Sequence, residues 1–172
     1  LSNIRERVTE VNDIVQKGPE PEHVDVMELK PGLIYTYYTG GIQSAALIES
    51  TSSVKPVQTG IIDIFSIQPA QVPIGYSISY KGYIKVPVDG IYTFKLESAD
   101  GSVLYIGEKL CVDNDEPHEI KAVERKIELK SGYYPIKILY TSFRQKGMLK
   151  VSWSGPGFEM KEVEADNLFY KV

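Results

Sequence analysis

A chain of 172 residues with 19 Lys and Arg against 23 Asp and Glu is long enough to bury a core without metals or disulfides, and one domain plus an appendage is the starting expectation. The net charge of -4 offers no basic face for neutralising phosphates, which argues against a nucleic-acid partner. A single cysteine excludes an internal disulfide, and no apolar run is long enough to cross a membrane as a helix. No charged, apolar, small-residue leader opens the chain, which reads from Leu1 as a piece processed or excised from a longer protein.

Ile4, Val8, Val11 and Val15 recur at spacings of four, three and four with charged residues between them, which predicts an amphipathic helix. Ser2 or Asn3 stands where a cap belongs, and Gly18 with Pro19 stops the pattern. So short a helix is marginal alone and needs a surface on which to bury its stripe. Residues 24–31 read as an extended connector.

Tyr35, Tyr37 and Tyr38 then fall in a strand that ends at Gly40-Gly41; adjacent Tyr37 and Tyr38 cannot both face a core. The polar residues 42–59 read as a long loop and a candidate recognition loop. A strand is expected over 61–67, and another where Tyr76, Ile78 and Tyr80 alternate with polar residues. Tyr92, Phe94 and Leu96 repeat that period, Leu104 and Ile106 continue it, and Ala99-Asp100-Gly101-Ser102 between them is read as a hairpin tip. Residues 119–129 alternate charged and apolar, which makes their Lys and Arg a solvated strand face. Tyr134, Ile136, Ile138 and Tyr140 follow, and Leu149, Val151 and Trp153 share a face of the last clear strand, with Trp153 read as core. Many short alternating strands predict an all-β antiparallel β-sandwich over residues 32–172, with the helix and linker of residues 1–31 outside it.

Asp100, Asp113, Asn114 and Asp115, with Glu108 and Glu116 nearby, form the densest acidic group in the chain. Two readings stand: a calcium site, since calcium wants about six to eight oxygens, or turn carboxylates that bond local backbone. The group is not an EF-hand loop, lacking its glycine and its last glutamate. Cys111, between Leu110 and Val112, reads as a small buried hydrophobe; His23 and His118 have no metal-ligand spacing. Sugar rings stack on flat apolar faces with polar tips, and the candidates are Phe143, in a polar loop, and whichever of Tyr37 and Tyr38 faces outward. No nucleophile elbow, phosphate loop or metalloprotease motif occurs.

The order Gly90-Ile91-Tyr92-Thr93-Phe94, Ser98-Ala99-Asp100-Gly101-Ser102, Val112-Asp113-Asn114, Ser131-Gly132-Tyr133-Tyr134-Pro135 and Trp153-Ser154-Gly155-Pro156-Gly157 resembles the PA-14 domain. That domain is a β-sandwich of bacterial glycosidases, toxins and yeast adhesins, and the resemblance spans roughly residues 32–170. It implies a non-catalytic carbohydrate-binding or accessory module of a larger bacterial glycoside hydrolase, secreted or periplasmic, with a glycan and the parent hydrolase domain as partners. The residues at both ends look most like modules appended to β-N-acetylhexosaminidases and β-glucosidases. The alternative is a structural or protein-interaction domain that packs on its parent without binding sugar.

In the calcium-dependent lectins of that family two consecutive aspartates bind metal and sugar together; here Ala99 stands first and only Asp100 matches. The resemblance therefore implies no metal and no other cofactor, with calcium left as the alternative. It places a carbohydrate site at Asp100, Gly101 and Ser102 with Asp113 and Asn114, joined by Phe143. No catalytic residue is expected.

Overall fold

A strand whose side chains alternate between apolar and polar has one face to bury, and stacking two sheets face to face buries both sets at once. The computed structural model describes residues 8–172. Thirteen strands lie among them: β1 (Val8–Lys17), β2 (Leu29–Pro31), β3 (Leu33–Thr39), β4 (Lys55–Ile62), β5 (Tyr76–Val86), β6 (Gly90–Ala99), β7 (Ser102–Ile106), β8 (Lys109–Asn114), β9 (Lys121–Leu129), β10 (Gly132–Ser142), β11 (Met148–Gly155), β12 (Phe158–Glu162) and β13 (Leu168–Lys171). One sheet runs β1-β9-β6-β11-β12, and the other runs β2-β13-β5-β10-β7-β8. β3 pairs with the first half of β5 and carries β4 on its outer side.

The predicted alternation is the core. Tyr92, Phe94 and Leu96 of the first sheet, and Ile78, Tyr80, Leu104, Ile106, Ile138 and Tyr140 of the second, are fully buried between the sheets. Trp153 is buried as read, stacked on Tyr92 at 5.5 Å between ring centroids and 5.1 Å from Phe158. Such aromatic contacts add to the burial of area that drives the fold.

Several expectations need correction. The helical stripe predicted near the N-terminus begins outside the described residues, and from Val8 onward the chain is strand β1, parallel to β9, so this sheet is mixed rather than antiparallel. Val8, Val11 and Val15, the described members of the stripe, stay exposed. What wins is the open edge of β9 and its charge: Glu10 meets Arg125 at 2.5 Å and Lys121 at 3.5 Å, and Asp13 meets Lys126 at 3.5 Å. The β-branched residues of this segment suit a strand at least as well as a helix. The basic face of β9, expected to be solvated, is therefore partly covered by acidic partners.

The strand expected over 61–67 instead runs from Lys55 to Ile62, because its register follows β3. The rest of the expected long loop is ordered as well: Ala45–Leu47 forms one 3-10 turn, and Ala45, Ile48 and Val54 pack with Val103 and Leu139 on the outer face of the second sheet. Tyr37 turns into the main core, while Tyr38 stays partly exposed and packs against this satellite cluster. Finally, residues 99–102 are not a hairpin tip. β6 pairs with β9 and β11, β7 pairs with β8 and β10, and the chain between them crosses from one sheet to the other.

Among the described residues, every buried apolar side chain lies at Leu33 or later. Deleting residues 1–21 should leave a β-sandwich by far-ultraviolet circular dichroism, with a melting temperature lower by a few degrees because β9 loses a paired neighbour. A disordered spectrum would show that β1 is required for folding. A second expectation concerns Glu49, which pairs with Lys81 and Lys137 and holds the 42–54 segment on the sheet. Burial by itself would raise this carboxyl, but hydrogen bonds from the two lysines outweigh it and keep its pKa below the ordinary 4.5. A lowered carboxylate pKa stabilises the fold above the unfolded value, and that stabilisation is lost as pH falls through the folded one. The Ile48 methyl shifts should therefore hold at neutral pH and move as the solution is acidified below 4.5, and Glu49→Gln should remove that step.

Candidate functional site

The sheet crossing brings the sequence-predicted residues together, though mostly inside the protein. Asp100, Ser102 and Asn114 are buried to 1% exposure or less. The Asp100 Oδ2 accepts three backbone N–H groups from the loop after β10: Phe143 at 2.7 Å, Arg144 at 2.8 Å and Gln145 at 2.9 Å. Three donors converging on one carboxylate oxygen are charge-assisted bonds, about twice as strong as neutral ones. Thr141 N donates to Gly101 O at 3.0 Å, and Tyr140 Oη to Ala99 O at 2.5 Å, so the end of β10 is fastened to the crossing throughout.

Behind this lies a polar cluster that staples the two sheets. Ser98 Oγ donates to Asp100 O at 2.8 Å and lies 2.6 Å from Ser102 Oγ. Asn114 Nδ2 donates to Leu96 O at 3.1 Å and Lys121 O at 2.8 Å, tying β8 to both β6 and β9. A second carboxylate repeats the clamp. Asp115 accepts Ser44 Oγ at 2.6 Å, Ala45 N at 2.7 Å and Ala46 N at 3.2 Å, which anchors the 3-10 turn of the 42–54 segment. Gly101 makes this fit possible, since a Cβ there would stand 2.5 Å from Asp115 Oδ1. Asp113 is exposed and caps Asp115 N at 3.1 Å.

The two clamped loops and the turn after β8 border an open cleft of about 500 Å³ lined by Gln43, Ser44, Glu116, Pro117 and Arg144. Glu116 holds a positive φ of 73°, an uncommon conformation for a residue with a side chain. Phe143 is half-buried with the Arg144 guanidinium 5.2 Å from its ring centroid, within cation–π range. The cleft thus offers a guanidinium, a carboxylate, an amide and a hydroxyl around one opening, a set suited to a polyhydroxylated ligand. Sequence reasoning put Gln43 and Ser44 in a candidate recognition loop and Glu116 beside the acidic group but did not join them with Arg144 in one cleft, because only the two carboxylate clamps, buried Asp100 and half-buried Asp115, bring their loops side by side.

Calcium does not fit the residues present. Asp100 Oδ2 and both Asp115 oxygens already accept N–H or O–H donors, whose positive ends oppose a cation. Asp100 Oδ1 and Asn114 Oδ1 are buried without partners, but two oxygens are far from the six to eight or so that calcium takes. Among the described residues no group of three His, Cys, Asp or Glu is placed to hold a metal. Cys111 is buried, and burial first of all pushes its thiol up to about 12, so it remains protonated at neutral pH.

If Asp115 is the anchor of the 42–54 segment, Asp115→Ala leaves three donors without their acceptor and should destabilise the protein by about 1–3 kcal/mol. Amide exchange at Ala45 and Ala46 should rise at the same time. Unchanged exchange there would show that the satellite core alone holds the turn.

Several known proteins are similar to this chain in sequence or in fold. Anti-sigma-I factor RsgI3 of Acetivibrio thermocellus is 30% identical over 96 residues, which is 55% of this chain and 15% of that protein. A solved structure of an anti-sigma factor domain-containing protein from Clostridium clariflavum is 26% identical with a TM-score of 0.66, covering 90% of this chain and 53% of the other. The chain thus spans only part of the relatives it matches. The fold is also that of the Epithelial Adhesin 9 A domain of Candida glabrata, solved in complex with Galβ1-3GlcNAc, at 14% identity and a TM-score of 0.68 over 91% of this chain and 96% of that one. The family model for the PA14 domain matches residues 29–167, from β2 to the last 3-10 turn, and the chain belongs to the PA14 domain family.

Proposed function

We propose that this PA14 domain is a non-catalytic glycan-recognition module of a larger chain, acting outside the cytoplasm and binding sugar in the cleft at Arg144. The observation that carries this reading is the pair of carboxylate clamps. Asp100 and Asp115 pre-organise two loops, so the cleft is formed before a ligand arrives and binding need not order them. In this reading Asp100, Gly101, Ser102, Asp113 and Asn114 are the scaffold of the carbohydrate site, while Phe143 and Arg144 form its contact surface. The sugar-bound Candida adhesin and a PA14 sugar-binding domain from an RTX adhesin, 12% identical with a TM-score of 0.64, support it as proteins of the same fold.

The parent protein is a separate question. The ends of the domain suggest a glycoside hydrolase, but the relatives of 25–30% identity are anti-sigma factors, which favours a regulatory parent that uses the module as its sensor. The structural reading, a domain that packs on its parent without sugar, is favoured by one observation, the burial of most of the residues that the family resemblance singles out.

A glycan array decides between them, followed by calorimetric titration of the best hit. Arg144→Ala and Asp100→Ala should each weaken binding by roughly tenfold or more, the first by losing a contact and the second by releasing the 143–145 loop. Affinity in chelator should equal that in calcium. Failure of every glycan on the array would favour the structural reading, and loss of binding in chelator would overturn the metal-free site. Chromogenic glucosides, galactosides and N-acetylglucosaminides should remain intact throughout.

A further inference from the structure

A second opening lies on different elements. β3 and β4 extend the second sheet, and the residues after β4 fold back over their core-side face. The groove between them holds about 350 Å³ and is lined by Tyr35, Gln58, Ile61, Ile62, Gln68 and Pro69. Register explains the arrangement: Tyr35 stands opposite Gly60, Tyr37 opposite Gln58 and Leu33 opposite Ile62, so Tyr35, Gln58 and Ile62 share one face.

Gly60 lets the tyrosine lie down. A Cβ at Gly60 would stand 2.9 Å from Tyr35 Cε1 and Oη, so the ring rests directly over the β4 backbone and its other side belongs to the groove. Around it the amides are held in place: Gln71 Nε2 donates to Gln58 Oε1 at 3.1 Å, and Gln71 N donates to Tyr37 Oη at 3.3 Å. Among the described residues neither the Tyr35 hydroxyl nor the Gln68 side-chain amide has a hydrogen-bond partner. Among the described residues no charged side chain lines the groove.

We propose that this groove is a second carbohydrate site, one that takes the end of a neutral oligosaccharide across the Tyr35 ring. An aromatic face matches the C–H face of a sugar, and side-chain amides donate to and accept from its hydroxyls. The lack of charge sets this site apart from the cleft at Glu116 and Arg144, and discriminates against uronates and phosphorylated sugars, whose anions find no counter-charge here. The proposal does not depend on the cleft. Where both sites engage one polymer, the second contact forms at high effective concentration and strengthens binding beyond either alone.

The test is a titration of the isotopically labelled chain with cellotetraose, maltotetraose and mannotetraose, each to about 10 mM, a range that captures even millimolar affinity. At least one sugar should shift the side-chain amide resonances of Gln58, Gln68 and Gln71 along a saturable curve. Tyr35→Ala should weaken that curve by roughly tenfold or more, and Tyr35→Phe, which keeps the ring and the fold, by roughly threefold. Gln68→Ala, at an exposed position, should weaken it too, and Arg144→Ala should leave it unchanged. Three results would overturn the proposal: amides unmoved by all three sugars, shifts that survive in Tyr35→Phe and Gln68→Ala at full strength, or shifts abolished by Arg144→Ala. Movement with a proline-rich peptide and with no sugar would overturn it as well, assigning the groove to a protein partner. Because the cleft is probed by Arg144→Ala alone, failure of one site is distinguishable from failure of the other.

Discussion

The carboxylate of Asp100, 1% exposed and gripped by three backbone amides, sits where the chain leaves one sheet for the other. A β-sandwich has little difficulty burying its strands, whose backbone groups satisfy one another along each ladder. Its difficulty lies at the crossings, where backbone groups leave the ladders and must find other partners before they are buried. Asp100 supplies one such partner from inside the protein. By doing so it fastens the β6–β7 crossing to the loop after β10, and Tyr140 of β10 closes the same joint through Ala99 O.

A buried carboxylate is expensive unless donors compensate it, and three N–H groups at Asp100 Oδ2 offset part of that cost. The consequence for chemistry is a trade. An aspartate whose oxygen is filled by amides holds a loop but cannot also serve a cation at that oxygen, and the same is true of Asp115 with Ser44, Ala45 and Ala46. The acidic cluster that looks like a cation site in sequence is thus a pair of loop anchors. Rigid loops over a rigid sandwich are a general way to present contact residues, since the scaffold takes up the ordering that binding would otherwise demand.

The N-terminal strand shows the opposite balance. β1 adds no side chain to the main core, and its valines face solvent. It is held by ladder bonds to β9 and by surface pairs such as Glu10 with Arg125, interactions that are individually weak. An edge held in this way protects β9 without adding to the core.

The period-2 alternation of Tyr92, Phe94 and Leu96, of Ile136, Ile138 and Tyr140, and of the strand around Trp153 determined the sandwich and its core, because which face a strand buries follows from side-chain spacing alone. The family order of motifs likewise marked Asp100, Ser102 and Asn114 as a joined set. Three things were decided only by tertiary structure. Val8, Val11 and Val15 fit a helical stripe, yet a free sheet edge with basic side chains outweighed a short helix with nothing to pack on. Residues 99–102 carry hairpin chemistry, yet their flanking strands found partners in different sheets, and pairing is a property of the whole assembly rather than of the turn. The cleft residues Gln43, Glu116 and Arg144 are far apart in the chain and share no motif. They meet because two aspartates, buried Asp100 and half-buried Asp115, draw three loops to one end of the sandwich, and no spacing in a linear sequence encodes a contact that depends on where other strands have gone.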